Sequence, residues 1–184
     1  MFNGIIFNTG RIYSIDKTKN SLFIGIKTGL RFNSKEVGSS VCCDGVCLTL
    51  VEKRKNIIYF YISNETLKRS NLKLLKINQI INLEKSIVFG QKISGHFTQG
   101  HVDTVAKIEN LSIIDKTWIL KLKIINKNLI KFLIEKASIS INGVSLTISN
   151  VDKSFFEVNI IPHTLKLTNL KNLKTKSFVN VELD

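Results

Sequence analysis

The chain writes one phrase twice. "CDGVCLTL", Cys43–Leu50, returns as "INGVSLTI", Ile141–Ile148. "ETLKRSNL", Glu65–Leu72, returns as "HTLKLTNL", His163–Leu170. Both recurrences fall at an offset of 98 residues, and nine of these sixteen aligned positions are identical. Turn chemistry alone explains Asp-Gly and Asn-Gly, but not the second segment in the same register. A weaker echo joins "NGIIFNTGRI" near the start to "QGHVDTVAKI", Gln99–Ile108, at an offset of 96, so a small length change falls between. Equal spacing over separate segments marks a duplicated structural unit. The 184 residues divide into an N-terminal domain, 1–95, and a C-terminal domain, 96–184, each of a size that can hold its own core.

Each copy reads as short strands. "SLFIGI", "CLTLVEK", "NIIYFYIS" and "QIINLEK" occur in the first, and "AKIENLSII", "TWILKLKII", "SISING", "SLTISNV" and "SFFEVNII" in the second. Apolar and polar positions alternate, and Asn, Asp, Gly and Lys punctuate the runs. The Asp-Gly and Asn-Gly pairs have the chemistry of two-residue hairpin turns with positive φ. So many strands in about 90 residues favour a small closed antiparallel barrel. Helices are few. In "NKNLIKFLIEKA", Asn126–Ala137, the residues Leu129, Phe132 and Leu133 have helical spacing, which predicts a helix there. The two "TLK" segments read as single turns.

Composition excludes several classes. Hydrophobic residues make up 43% of the chain, enough for a packed core without staples. The net charge of +13 invites a nucleic-acid reading, but the lysines are scattered, and three tyrosines and one tryptophan offer few stacking platforms. We read the charge as a solvated surface. Cys42, Cys43 and Cys47 lie within six residues, an arrangement that suits reduced thiols and a reducing compartment. Nothing has the paired spacing of zinc ligands. No apolar run reaches membrane-spanning length, and the start makes a poor signal peptide, so a soluble, cytoplasmic protein is expected.

Side chains two apart in a strand share a face. Cys47 and Thr49 therefore sit together, as do Ser145 and Thr147 in the second copy. Small polar groups just beyond a tight turn suit hydrogen bonding to a planar heterocycle between apolar walls. His96 and His101 lie in "SGHFTQGHVD", the connection between copies, where imidazole can move protons near neutral pH.

"MFNGII", "DGVCLTL", "SGHFTQGHVD", "INGVSLTI" and "IIPHTL" together resemble the riboflavin synthase α-chain family over the whole chain. The resemblance implies two similar six-stranded antiparallel Greek-key β-barrels, each binding one 6,7-dimethyl-8-ribityllumazine. It implies transfer of a four-carbon unit between two such molecules, giving riboflavin and 5-amino-6-ribitylaminouracil, with no metal and no cofactor. By motif, the catalytically important positions fall on Phe2, Ser40, Cys47, His101 and Thr147. A first pocket takes Gly4, Ile5 and Ile6, then Cys47, Leu48 and Thr49, then Tyr61, Ile62, Ser63, Asn64, Glu65 and Thr66. A second takes Gly100, Lys136, Ser145, Leu146 and Thr147, then Asn159, Ile160, Ile161, Pro162, His163 and Thr164. His101 is expected to move the acidic proton of the substrate's C7 methyl. Ser40, Cys47 or a water is expected to add to the second molecule, and Phe2 to form a ring wall or lid.

The resemblance further implies a homotrimer with sites shared between subunits, and an association with lumazine synthase. Family members continue past "FVNVELD" with a helix that holds the trimer, and this sequence stops there. Two rival readings follow: a non-catalytic lumazine- or flavin-binding relative, and a nucleic-acid-binding barrel.

Overall fold

A computed structural model describes all 184 residues. The first barrel comprises β1 (Asn8–Lys17), β2 (Leu22–Thr28), β3 (Ser40–Cys43), β4 (Val46–Arg54), β5 (Ile57–Ile62) and β6 (Ile80–Lys85). Its strand order is β1-β2-β5-β4-β3-β6, closed by β6 on β1. The second comprises β7 (Thr104–Ile114), β8 (Thr117–Ile124), β9 (Ser138–Ile141), β10 (Val144–Val151), β11 (Phe156–Ile160) and β12 (Phe178–Leu183). It closes in the same Greek-key order, β7-β8-β11-β10-β9-β12, and every pairing is antiparallel.

The duplication reaches fine detail. A bulge between Ile12 and Ser14 in β1 recurs between Ile108 and Asn110 in β7. Another between Leu50 and Glu52 in β4 recurs between Ile148 and Asn150 in β10. Bulges add local twist, which a barrel this small needs in order to close. The first hairpin repeats at 96 and everything from β3 onward at 98, so the length change lies between Thr28 and Ser40 and between Ile124 and Ser138. The helix expected over 126–137 is instead a 3₁₀ segment, Lys127–Phe132, capped by the Asn126 side chain. Ile130 and Leu133, three apart, suit the tighter turn. Leu133 enters the barrel while Phe132 stays exposed, and Lys136 ends the connection at positive φ. The short α1 (Asn64–Arg69) and α2 (Pro162–Leu167) are the anticipated single turns.

Inward-facing residues fill each barrel. Ile12, Ile24, Leu50, Phe60 and Leu83 are fully buried in the first, and Ile108, Leu120, Leu122, Phe156 and Val181 in the second. Each such side chain contributes about 1.5–3 kcal/mol by leaving water.

The barrels meet at their hairpin turns. Asp44 and Gly45 have φ of 47° and 81°, and Asn142 and Gly143 have 48° and 79°. A Cβ on Gly45 would lie 2.8 Å from Gly143 N, so the turns touch where only glycine fits. Around them runs a buried amide network. Asn82 Nδ2 donates to Asn142 O at 3.0 Å, and Asn180 Nδ2 donates to Asp44 O at 2.8 Å. Asn169 N donates to Asn82 Oδ1, and Asn71 N donates to Asn180 Oδ1. These reciprocal contacts relate the barrels by a pseudo-two-fold axis. The axis is broken at one group: Asp44 stands where its mate is Asn142. Burial pushes the Asp44 carboxyl up to about 7, against hydrogen bonds from Asn82 N and Asn169 Nδ2 that favour its charged form. No helix is long and apolar enough to cross a membrane.

Candidate functional site

Residues 1–7 and 96–103 lead into the two barrels, and each leader crosses to the other barrel. Ser145 N donates to Gly4 O at 2.7 Å, and Cys47 N donates to Gly100 O at 2.8 Å. Ile6 is buried in the second core, and Val102 packs on the first. The grouping of Gly4, Ile5 and Ile6 with Cys47, and of Gly100 with Ser145, is therefore corrected: the structure exchanges them. Sequence alone assigns each leader to the barrel it precedes, whereas backbone hydrogen bonding places it on the neighbour. Gly4 and Gly100 hold φ of 71° and 77°, and a Cβ on either would come within 2.8 Å of Ser145 Cβ or Cys47 Cβ, respectively.

Two carboxylates fasten the crossing. Glu84 accepts from Asn3 N at 2.8 Å and Gly4 N at 3.0 Å. Glu182 accepts from Gln99 N at 2.6 Å and Gly100 N at 2.9 Å. Burial raises both carboxyls above their ordinary range, while the donated backbone N–H groups pull them back down. Phe2 and Thr98 join the leaders in an antiparallel bridge, and Phe2 is fully buried. The ring wall or lid expected at Phe2 is corrected: the residue is fully buried and lines neither cavity.

A cavity of about 560 Å³ opens beside Cys47. It gathers Cys47, Glu65, Thr66, Gly100 and His101 from the expected residues, and adds Arg69, Asp103 and Asn126. A cavity of about 380 Å³ beside Ser145 gathers Lys136, Ser145, Leu146, Thr147, Asn159, Ile161 and Thr164, and it corresponds to the first at Ser145 and Thr164 only. The other expected residues stand around these mouths. Leu48, Ile62 and Ile160 turn into the barrel cores. Ser40 pairs with Thr49 across β3 and β4, as Ser138 pairs with Thr147. Tyr61 is exposed on β5, Ser63 caps α1 through Thr66 N, and Asn64 begins that helix. Pro162 and His163 open α2.

The mouths carry different chemistry. At the second, His96 Nδ1 lies 2.7 Å from Ser145 Oγ. Burial lowers the imidazole's pKa, a trend that Asp184 partly offsets. His96 Nε2 is buried without a partner. His96 lies outside the catalytic set that the family resemblance implies, and its signal in the sequence is a histidine in a connection that builds no core. At the first mouth, Cys47 is partly exposed, whereas Cys42 and Cys43 are buried and burial pushes their thiols up. Cys47 is thus the thiol open to a ligand, with His101 lining the same cavity. A thiol or hydroxyl beside an imidazole can take up a proton and present a nucleophile.

The largest cavity, about 840 Å³, lies elsewhere, at the junction of the barrels. It is lined by amides, lysines and apolar side chains around Asp44, with no thiol or imidazole, and suits the chemistry less well.

The lumazine binding domain model matches twice, at residues 3–86 and 99–184. The chain is 35% identical to the riboflavin synthase of Buchnera aphidicola subsp. Schizaphis graminum, over 100% of this chain and 89% of that protein. It is 36% identical to the riboflavin synthase of Actinobacillus pleuropneumoniae, over 100% and 85%. Among solved structures, LumP complexed with riboflavin superimposes with a TM-score of 0.87 at 28% identity, covering both chains completely. LumP complexed with 6,7-dimethyl-8-(1'-D-ribityl) lumazine gives 0.86 at 26% identity, over 100% of this chain and 99% of that one. With twin barrels, two mouths of matched backbone and full-length relatives of this kind, the chain belongs to the riboflavin synthase family of lumazine-binding proteins.

Proposed function

We propose that the protein is a riboflavin synthase. It binds two molecules of 6,7-dimethyl-8-ribityllumazine and moves a four-carbon unit from one to the other, releasing riboflavin and 5-amino-6-ribitylaminouracil. The observation that supports this over mere binding is that both mouths keep reactive groups: Cys47 with His101 at one, Ser145 with His96 at the other. A carrier needs one pocket and no nucleophile.

In this reading, one lumazine loses a proton from its C7 methyl to an imidazole, and the other is primed by addition at its ring. His96 suits a role in proton transfer through Ser145, whose hydroxyl lines the second cavity and lies 2.7 Å from the His96 Nδ1 atom. Cys47 suits addition because its thiol reaches the cavity. Holding the two rings in reacting orientation supplies up to roughly 7–11 kcal/mol of the barrier reduction.

The two cavities share no lining residue, which supports a reacting site built between copies over one built within a single chain. The reaction therefore brings the first mouth of one copy against the second mouth of another, and a homotrimer is the assembly we propose. The test is incubation of the purified protein with 6,7-dimethyl-8-ribityllumazine across a range of protein concentrations. Riboflavin fluorescence should appear, with specific activity rising as copies associate. The likeness to LumP favours a second reading, a non-catalytic lumazine or flavin binder. That reading holds if the lumazine binds and no riboflavin forms.

A further inference from the structure

The crossing of the leaders assigns a role to two carboxylates that line neither mouth. Glu84 stands on β6 of the first barrel and grips Asn3 and Gly4, which lie against Ser145 of the second. Glu182 stands on β12 of the second barrel and grips Gln99 and Gly100, which lie against Cys47 of the first. We infer that Glu84 and Glu182 are cross-acting positioning residues: each holds the ligand mouth of the barrel it does not belong to. The inference rests on the functional reading above only where it concerns ligand binding.

The geometry leaves little freedom. Each carboxylate takes two backbone N–H groups in succession, one per oxygen. The carbonyl of the second residue then accepts the amide of Ser145 or Cys47. The line from Glu182 runs through Gly100 to Cys47 N, and His101 follows Gly100 directly. The line from Glu84 runs through Gly4 to Ser145 N, beside the His96 contact. Neither carboxylate lines the cavity it controls. Glutamine at either position keeps the shape but turns an NH₂ group toward a backbone N–H. That loses one charge-assisted hydrogen bond and sets two donors face to face.

A structural role of the ordinary kind would weaken the residue's own barrel, or both equally. Crossed control predicts the opposite pattern, and amide hydrogen exchange in the ligand-free full chain reads it directly. In Glu182→Gln the Cys47 amide should exchange faster by roughly tenfold or more, with Ser145 within about twofold of the parent. In Glu84→Gln the Ser145 amide should speed up and Cys47 should not. Glu→Asp variants at both positions, which keep the charge on a shorter arm, should give smaller effects in the same crossed sense and serve if a glutamine variant fails to fold. Riboflavin titrations followed at the same two amides should show the same crossing in affinity. Faster exchange confined to each residue's own barrel, or equal at both sites, overturns the inference. If riboflavin binds neither mouth of the parent protein, the functional reading fails, and the exchange rates still decide the positioning role.

Discussion

The two mouths share a backbone and differ in what they hold. Cys47 and Ser145 occupy matching positions on β4 and β10, each receiving a glycine carbonyl from the opposite leader. Yet the cavity at Cys47 is larger and lined by Glu65, Arg69 and Asp103, while Ser145 is bonded to an imidazole beside a smaller cavity lined by Lys136 and Asn159. The comparison teaches a division of labour. Duplication supplies two equivalent scaffolds at once, and a few substitutions on them supply the inequality that the proposed reaction between two identical molecules calls for.

The sharpest way to break the comparison is to remove the imidazoles one at a time. His96→Ala and His101→Ala should each lower turnover by about 10²–10⁴-fold, the usual range for a positioned acid or base. Steady-state riboflavin formation measures it. Unimpaired turnover in His101→Ala would exclude that residue from the mechanism and leave proton transfer to His96.

The next largest effect concerns the junction. Asp44 has a folded pKa of about 7 against a usual 3.8, because burial penalises its charge. The folded chain therefore keeps a proton that the unfolded chain releases. Stability is fully present below the lower value, falls as pH rises toward the higher one, and levels off above it. The gap corresponds to roughly 4 kcal/mol. Asp44→Asn restores the pairing with Asn142 and should recover stability up to that order above neutral pH, flattening the profile. Asn142→Asp should steepen it. Urea denaturation at several pH values reads both.

Gly4→Ala and Gly100→Ala should each cost about 2 kcal/mol or more, since positive φ and a backbone contact leave no room for a methyl group. Equal losses in thermal unfolding would show that the crossings carry equal weight; unequal losses would show which mouth is held more tightly. The smallest effect is at the rim. Lys85 pairs with Glu36 at 2.6 Å in the first barrel, where the second has Leu183 and Ile134 at the matching positions. The Lys85 hydrogen bond holds the Glu36 carboxyl below its ordinary value, so the pair's contribution fades as pH falls through that lowered value. Glu36→Gln should cost under about 1 kcal/mol, because both partners are partly solvated.

Much of this was legible before any coordinates. The repeated phrases gave two barrels, and Asp-Gly and Asn-Gly gave the touching turns. β1 and β7 share the same bulge, yet only β7 reads as a strand from sequence, because β1 has Gly10 and Lys17 where β7 has the apolar Ala106 and Ile113. β12 and β6 carry the same polar pair, Asn180 with Glu182 and Asn82 with Glu84, and these side chains bond a turn and a leader instead of packing in a core, so alternation alone does not reveal what they do. The crossing of the leaders was illegible for a related reason: periodicity reports what faces a strand's own core, and says nothing about which barrel a loop's carbonyl will meet. One signal was present and unread. Asn82 and Glu84 recur as Asn180 and Glu182 at the same offset of 98, a polar pair kept in both copies.

One chain carries two unlike mouths, and the proposed function needs a ligand at each. A titration of the full-length protein with 6,7-dimethyl-8-ribityllumazine, followed at the Cys47 and Ser145 amides, tests this most directly. Two ligands per chain, saturating the two amides with different affinities, is the predicted result. One ligand per chain, or saturation that moves neither amide and perturbs only the junction around Asp44, would contradict it.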